Sequence, residues 1–250
     1  MREAGLDPWE ALRARRDPER IGAYLELHIE QGPVLSTANE QVGVVEAITG
    51  LFKWNVTFSG EPNHAGTTPM PMRRDAFMGI ADFAHEIPRI LDENGSEVSR
   101  ATIGRVELTP GSANTVPGEA SFTIDVRDTD ETVMNELAGA IRKTLAAIAR
   151  RRGLTFSYQV DSWIHPVDCD PGLVNTIEEV SREQGMRFRR MVSGAAHDAQ
   201  IVASVCPVAM VFVPSVEGKS HSPAEWTAWD DIEAGANVML ATLRRLAFGA

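Results

Sequence analysis

The chain has 250 residues, 43% hydrophobic and 24% charged, the make-up of an ordinary folded protein with enough material for one large domain or two small ones. A net charge of −11 excludes a nucleic-acid surface, which needs clustered Lys and Arg. No apolar run approaches the roughly 18 residues of a membrane span, and the first eight residues lack the apolar core of a secretory signal, so a cytoplasmic protein with no membrane partner is expected.

In chain order, Asp7-Pro-Trp-Glu10 predicts a helix start, with Asp as N-cap and Pro at the first position, running to about Arg16. Residues 23–29 and 41–49 predict two strands, the second closing at Gly50. Phe52, Trp54, Val56 and Phe58 then alternate with polar residues, the mark of a strand with one buried face. Phe77, Ile80, Ala84, Ile87 and Leu91 recur at three- and four-residue steps and predict an amphipathic helix. Residues 101–109 predict a weaker strand. Ala120, Phe122, Ile124 and Val126 alternate again, Val133, Leu137, Ile141, Leu145 and Ile148 predict a second helix, and Leu154, Phe156, Tyr158 and Val160 a last strand. This βαββαβ order predicts a ferredoxin-like unit over residues 50–160, inserted in a second, α/β domain made of residues 1–49 and 161–250. In the latter, Asp170-Pro171 opens a helix marked by Leu173, Val174, Ile177 and Val180, and residues 205–213 form an apolar run suited to a strand covered on both faces. Ile232, Ala236, Met239, Leu243 and Leu246 predict a terminal amphipathic helix. The basic run Arg150-Arg-Arg152 falls at a helix end, where cations suit the dipole. Only two cysteines occur, Cys169 and Cys206, so no disulfide framework is implied.

Chemistry-bearing residues gather in a few places. Tyr24-Leu-Glu-Leu-His-Ile-Glu-Gln-Gly-Pro33 carries His28 near the carboxyl end of a strand, with Glu26 and Glu30 predicted on the same face. Such a histidine suits a metal ligand oriented by a carboxylate, or a buried histidine satisfied by a backbone carbonyl. His221 lies in the loop after the apolar run, where open α/β sheets build their sites. His64 follows the first alternating strand, Asn114 sits in a turn and Arg127 ends another strand. Read singly, these are a solvated turn residue, a turn former and a surface ion-pair partner.

Six stretches taken together resemble one family. Leu27-His-Ile-Glu-Gln-Gly-Pro33, Asn63-His-Ala-Gly-Thr-Thr-Pro69, Gly111-Ser-Ala-Asn-Thr-Val-Pro117, Asp125-Val-Arg-Asp128, Ser193-Gly-Ala-Ala-His-Asp-Ala199 and Ser220-His-Ser-Pro-Ala-Glu225 occur in the order seen in the allantoate amidohydrolase and N-carbamoyl-L-amino-acid hydrolase group. That group belongs to the two-zinc metallopeptidase-like (M20) amidohydrolases. The resemblance implies hydrolysis of a linear ureido or carbamoyl C–N bond with two divalent metals, zinc or manganese. It implies His28 and His221 as ligands, one on each ion, and a lid domain that makes a homodimer. It also implies that His64, Asn114 and Arg127 hold substrate across the dimer, with Gln31 a further substrate contact.

The chain departs from the family pattern in two places. Ala196 stands where the family often has Gly, while His197 and Asp198 read as local structure and pocket wall. The family's long N-terminal segment, with its His-x-Asp motif and Glu-Glu pair, has no match here. The expectation is therefore a C-terminal portion, inactive alone, with no third ligand beside either histidine and with the apolar run of residues 205–213 left partly uncovered. A non-catalytic dimerising module and a related metal aminopeptidase are the other classes this pattern admits.

Overall fold

The structure, a computed structural model, describes residues 1–14 and 16–249. In chain order its elements are β1 (Tyr24–Ile29), α1 (Val34–Ala38), β2 (Val42–Ile48), β3 (Gly50–Ser59), β4 (Asn63–His64), α2 (Ala76–Asn94), β5 (Arg100–Thr109), β6 (Thr115–Val116), β7 (Glu119–Asp128) and α3 (Glu131–Arg152). There follow β8 (Thr155–Ile164), β9 (Val167–Asp168), α4 (Pro171–Glu183), β10 (Phe188–Ser193), α5 (Asp198–Val202), β11 (Val208–Val213) and α6 (Trp229–Phe248). The chain divides into two compact units, Met1–Glu46 with Asp168–Ala250, and Ala47–Val167.

Ahead of β1, the expected first helix is a 3-10 segment over Pro8–Ala14. Asp7 still caps it, accepting the Trp9 N–H at 3.0 Å, but Glu10 N–H bonds Asp7 O in the tighter i+3 spacing. Its described side chains are exposed or half-buried, so no packing favours the α geometry over the shorter turn. Arg15, beside the expected end of this helix, lies outside the described residues.

In the unit Ala47–Val167 the four long strands pair in the order β5-β7-β3-β8, antiparallel throughout. With α2 and α3 this is the ferredoxin-like arrangement. Alternation places Phe52, Trp54, Val56 and Phe58 of β3 beside Ala120, Phe122, Ile124 and Val126 of β7, all buried. Ile80, Phe83 and Ile90 of α2 and Met134, Leu137, Ile141, Leu145 and Ile148 of α3 complete this core. Phe77, expected in the α2 stripe, is 42% exposed, and Ala76 takes the buried place. The run Arg150-Arg-Arg152 does more than end a helix: Arg151 and Arg152 bond Asp82 of α2 at 2.8 and 2.7 Å. The Arg152 hydrogen bond foremost holds the Asp82 carboxyl below its ordinary range. Asp128 is fully buried and is satisfied by Ser96 Oγ–H at 2.6 Å, by Ser99 Oγ–H and by the Asp130 N–H at 2.9 Å. A short ribbon pairs β4 with β6.

In the other unit the sheet order is β1-β11-β2-β10, with β9 also on β2. β1 runs parallel to β11, and β11 antiparallel to β2. Every residue of β11 is buried, flanked by β1 and β2 and packed by α4, α5 and α6. The expectation of a partly uncovered apolar run is thus overturned for residues 208–213, which are interior to the sheet, whereas Val205, ahead of the strand, is 39% exposed. Asp170 caps α4 through the Leu173 N–H at 2.9 Å, and Leu173, Val174, Ile177 and Val180 are buried as the spacing predicts.

The last helix is rotated from its expected setting. α6 buries Ala234, Gly235, Val238 and Thr242, whereas Leu243 and Leu246 of the predicted stripe are 48% and 43% exposed. The cause is close approach. A Cβ on Gly235 would lie 2.4 Å from Val213 Cγ1 and 2.8 Å from Leu27 Cδ1, so this helix meets the sheet through its small residues. Gly235→Ala is accordingly expected to destabilise the protein by about 1–3 kcal/mol through overpacking. Thermal denaturation beside Ala236→Ser, one position round the helix and exposed, is the measurement; equal stability of both variants would refute the packing account.

Candidate metal centre

β1 and β11 end side by side, at Ile29 and Val213, and their parallel register puts His28 opposite Phe212. Alternation along β1 brings Tyr24, Glu26 and His28 to one face. His28 Nδ1 lies 2.8 Å from the Ile29 carbonyl. That carbonyl only accepts, so Nδ1 carries the proton and Nε2 presents a lone pair, the form a metal ligand requires.

The expectation that Glu30 joins this face does not hold. Its carboxylate turns back to accept the N–H groups of Val34 and Leu35, both at 2.8 Å, and is spent on the start of α1. Gly32 makes room, since a Cβ there would lie 2.7 Å from Glu30 Oε1.

His197 arrives from the residue before α5. Its ring meets that of His28 edge-on at 4.6 Å and lies 5.5 Å from Phe212. Nε2 is 2.7 Å from Ser193 Oγ, which also donates to Ala195 O at 2.9 Å and accepts the Ala195 N–H at 3.1 Å. Ser193 has one proton to give. The imidazole Nε2 shares a hydrogen bond with the Ser193 oxygen, and Nδ1 lies 3.6 Å from Glu26 Oε1. Ser193, His197 and Glu26 superficially form a nucleophile relay, but Ser193 is fully buried and its oxygen is saturated, so it fixes the imidazole and attacks nothing. Glu26 also accepts the Ala199 N–H at 2.9 Å and the Tyr24 hydroxyl at 3.3 Å.

Burial, and then the neighbouring His28, push the His197 pKa down to about 4 from an ordinary 6.5, so the ring is neutral near pH 7. The unfolded chain therefore takes up this proton first as pH falls. The metal-free protein should hold its full stability above about pH 6.5, lose about 3 kcal/mol between there and pH 4, and level off below. Urea denaturation across that window, compared with His197→Gln, is the check; identical slopes for both proteins would refute the assignment.

The ligand atoms of Glu26, His28 and His197 lie within 4.8 Å of one another. Two ligands at about 2.1 Å from one zinc ion lie at most about 4.2 Å apart, so a small inward movement closes the set around one cation. One carboxylate oxygen and two imidazole nitrogens suit zinc or manganese. The expectation of no further donor beside His28 is overturned by tertiary contact: Glu26 was two residues away on the same face, but nothing in the sequence placed His197 there.

His221 lies outside that group. Its backbone is left-handed, φ 54°, and its Nε2 is 3.4 Å from the Gln31 amide nitrogen. Gln31, also left-handed at φ 58°, is anchored by its N–H to Ser215 Oγ at 3.0 Å. The structure thus joins Gln31 to His221. In the other unit, the β4–β6 ribbon pairs His64 with Thr115, and the neighbouring Asn114 carbonyl accepts the Ala65 N–H at 2.8 Å. His64 Nδ1 accepts the Gly66 N–H at 3.0 Å, which fixes its ring. Arg127 sits at the opposite end of β7 from the strand's start at Glu119, about 26 Å along a strand, and its fork grips both oxygens of Asp125 at 2.8 and 3.2 Å. Cys169 and Cys206 are both free and buried, and burial drives the Cys169 thiol up to about 12, so it is chemically inert.

An α/β sheet with a His–His–Glu cluster at the carboxyl ends of its parallel strands is the frame of a metal-capable enzyme domain. Comparison with known proteins gives this class a family. Residues 3–245 match the model of peptidase family M20/M25/M40, and the chain belongs to that family. It is 38% identical over 243 residues to the allantoate amidohydrolase of Escherichia coli (strain K12), covering 96% of this chain and 58% of the relative. It is 37% identical over 249 residues to the N-carbamoyl-L-amino acid amidohydrolase of Geobacillus stearothermophilus, covering 100% and 60%. A crystal structure of an amidase of the hydantoinase/carbamoylase family from Burkholderia multivorans superposes with a TM-score of 0.86 at 41% identity, over 90% of this chain and 55% of that one. The chain thus spans somewhat over half the length of the relatives it matches. None of its described helices is long and apolar enough to cross a membrane.

Proposed function

We propose that this chain carries the metal- and substrate-holding part of a cytoplasmic, metal-dependent amidohydrolase that cleaves the C–N bond of a linear ureido or carbamoyl compound, allantoate or an N-carbamoyl amino acid. The observation that carries the reading is His28, its Nδ1 held on the Ile29 carbonyl at 2.8 Å and its ring grouped with Glu26 and His197 so that one ligand atom of each lies within 4.8 Å of the others. His28 would hold one divalent cation, zinc or manganese, with Glu26 and His197 as the donors at hand, and His221 would serve a second. Such ions, when bound, polarise a carbonyl and activate water. The remaining groups would hold substrate: the Gln31 amide beside His221 and, offered across the homodimer, the fixed imidazole of His64 at the oxyanion, Asn114, and the Arg127 guanidinium, braced by Asp125, at a carboxylate. Residues 1–49 and 161–250 would form the catalytic portion, and residues 50–160 a lid that pairs with its copy in a homodimer. The names of the relatives support the substrate class, and the fixed tautomer of His28 supports the metal role.

Ammonia release from N-carbamoyl-L-amino acids and from allantoate, with added zinc or manganese, is the test. It is run on the chain alone and on the chain co-expressed with the part of the Geobacillus stearothermophilus relative that this chain does not match. Turnover is expected only in the complemented sample, and Arg127→Ala there should raise KM for a carbamoyl amino acid by about 30-fold or more, as loss of a charge-assisted contact worth about 2–3 kcal/mol. Turnover indifferent to chelation would overturn the reading.

A further inference from the structure

The loop that presents His221 is a closed device. Its ends are tied by the Val216 N–H to Trp226 O bond at 2.9 Å, and Ser215 anchors Gln31 at its base. Gly218, at φ 66°, lies against the Gly32-Pro33 turn so tightly that a Cβ would come within 2.6 Å of the Pro33 nitrogen. Within this loop His221 adopts the left-handed region, at φ 54°. For a residue with a Cβ that conformation is costly and persists only where neighbours hold it.

What holds it is one carboxylate oxygen. Glu225 Oε2 accepts the His221 backbone N–H at 3.0 Å and the Ser220 hydroxyl at 2.8 Å. Ser220 Oγ in turn accepts from the Gln31 side-chain amide at 3.1 Å, and that same amide nitrogen lies 3.4 Å from the His221 ring. The Glu225 N–H closes the turn on Ser222 O at 3.0 Å. Glu225, Ser220 and Gln31 thus form a chain of hydrogen bonds around His221, fixing both its backbone and the space beside its ring. Glu225 is itself exposed, so burial does not account for its placement. The bonds it accepts, from Ser220 first and His221 next, keep its carboxyl below the ordinary range, so the acceptor is charged near neutral pH.

We propose that Glu225 is a positioning residue for His221: its carboxylate pins Ser220 and the left-handed backbone of His221, so that the imidazole is delivered in one orientation beside Gln31. The consequence for cation binding rests on the reading of His221 as a metal ligand; the positioning itself does not. A ligand left to sample several rotamers binds its cation more weakly, and loss of such an outer partner typically costs about 10–100-fold in affinity.

The experiment uses the full chain, with Glu225→Ala, Glu225→Gln, His221→Ala and the double variant. Two readouts are taken: the backbone amide and ring resonances of His221 by NMR with no metal, and calorimetric titration with zinc alone. In Glu225→Ala the His221 amide should lose its hydrogen-bonded shift and the ring signals should broaden, with the β-sheet resonances unchanged, and zinc affinity should fall about 10–100-fold. Glu225→Gln, which keeps an acceptor of the same shape, should restore most of both. Glu225→Ala should add nothing in the His221→Ala background. Unchanged His221 resonances in Glu225→Ala would overturn the proposal, as would an equal zinc deficit with His221 already removed, which marks general loop damage. If the His221 resonances respond as described while His221→Ala takes up zinc just as the wild-type chain does, the positioning stands and the metal reading of His221 falls.

Discussion

His28→Ala is expected to lower the affinity of the chain for zinc or manganese by at least about 100-fold while leaving it folded. The variant deletes one of three donors, and two protein ligands are fewer than zinc sites in proteins normally use. It also removes the imidazole whose tautomer the Ile29 carbonyl fixes, so water replacing the ring offers no preset lone pair. The fold should tolerate the change because β1 is half-buried along its whole length and keeps its parallel ladder to β11. Elemental analysis after dialysis, beside far-UV circular dichroism, gives the answer. Metal content equal to wild type would remove His28 from the centre.

The largest effect on stability is expected in the other unit. Phe122→Ala should cost about 3–5 kcal/mol, because the ring is 1% exposed, lies 5.9 and 5.7 Å from Phe58 and Phe83, and faces both helices from the middle of the sheet. The neighbours belong to paired strands and a packed helix and cannot collapse into the space, so a cavity remains. For a unit of this size that loss lowers its melting temperature by roughly 10–25 °C. Phe77→Ala, on α2 and 42% exposed, is the control and should cost less than about 1 kcal/mol. Similar losses for the two would mean that the core is placed wrongly.

These two phenylalanines also separate what local pattern conveys from what it does not. A strand with one wet face must alternate, and Phe52–Phe58 and Ala120–Val126 do so, so their buried sides were legible from spacing alone. The α3 stripe was legible for the same reason, but in α2 only Ile80 of the expected stripe is buried: Phe77 and Ala84 are exposed, Ile87 and Leu91 half-buried, and Phe83 and Ile90 face the core instead. α6 departs from its predicted stripe because spacing of large apolar residues measures hydrophobicity, while packing on the sheet requires closeness. Gly235 against Val213 and Leu27 decided which face turned inward, and the leucines were left outside. The short elements α1, β4, β6, β10 and α5 carry too few residues to show a period, and tertiary partners define them.

The sequence by itself determined the fold class, mixed α/β with a ferredoxin-like unit, because hydrophobic period and turn residues act within a few positions of one another. It also determined the family, because six short motifs in order survive any ignorance of how they meet. Only the tertiary structure decided the content of the cluster at the end of β1. Glu26 stayed beside His28 as its spacing predicts, but Glu30 was drawn away to the start of α1, and His197 was carried in by the turn before α5. Which donors share a volume of a few ångströms depends on contacts between residues far apart in the chain, and no local pattern encodes those distances.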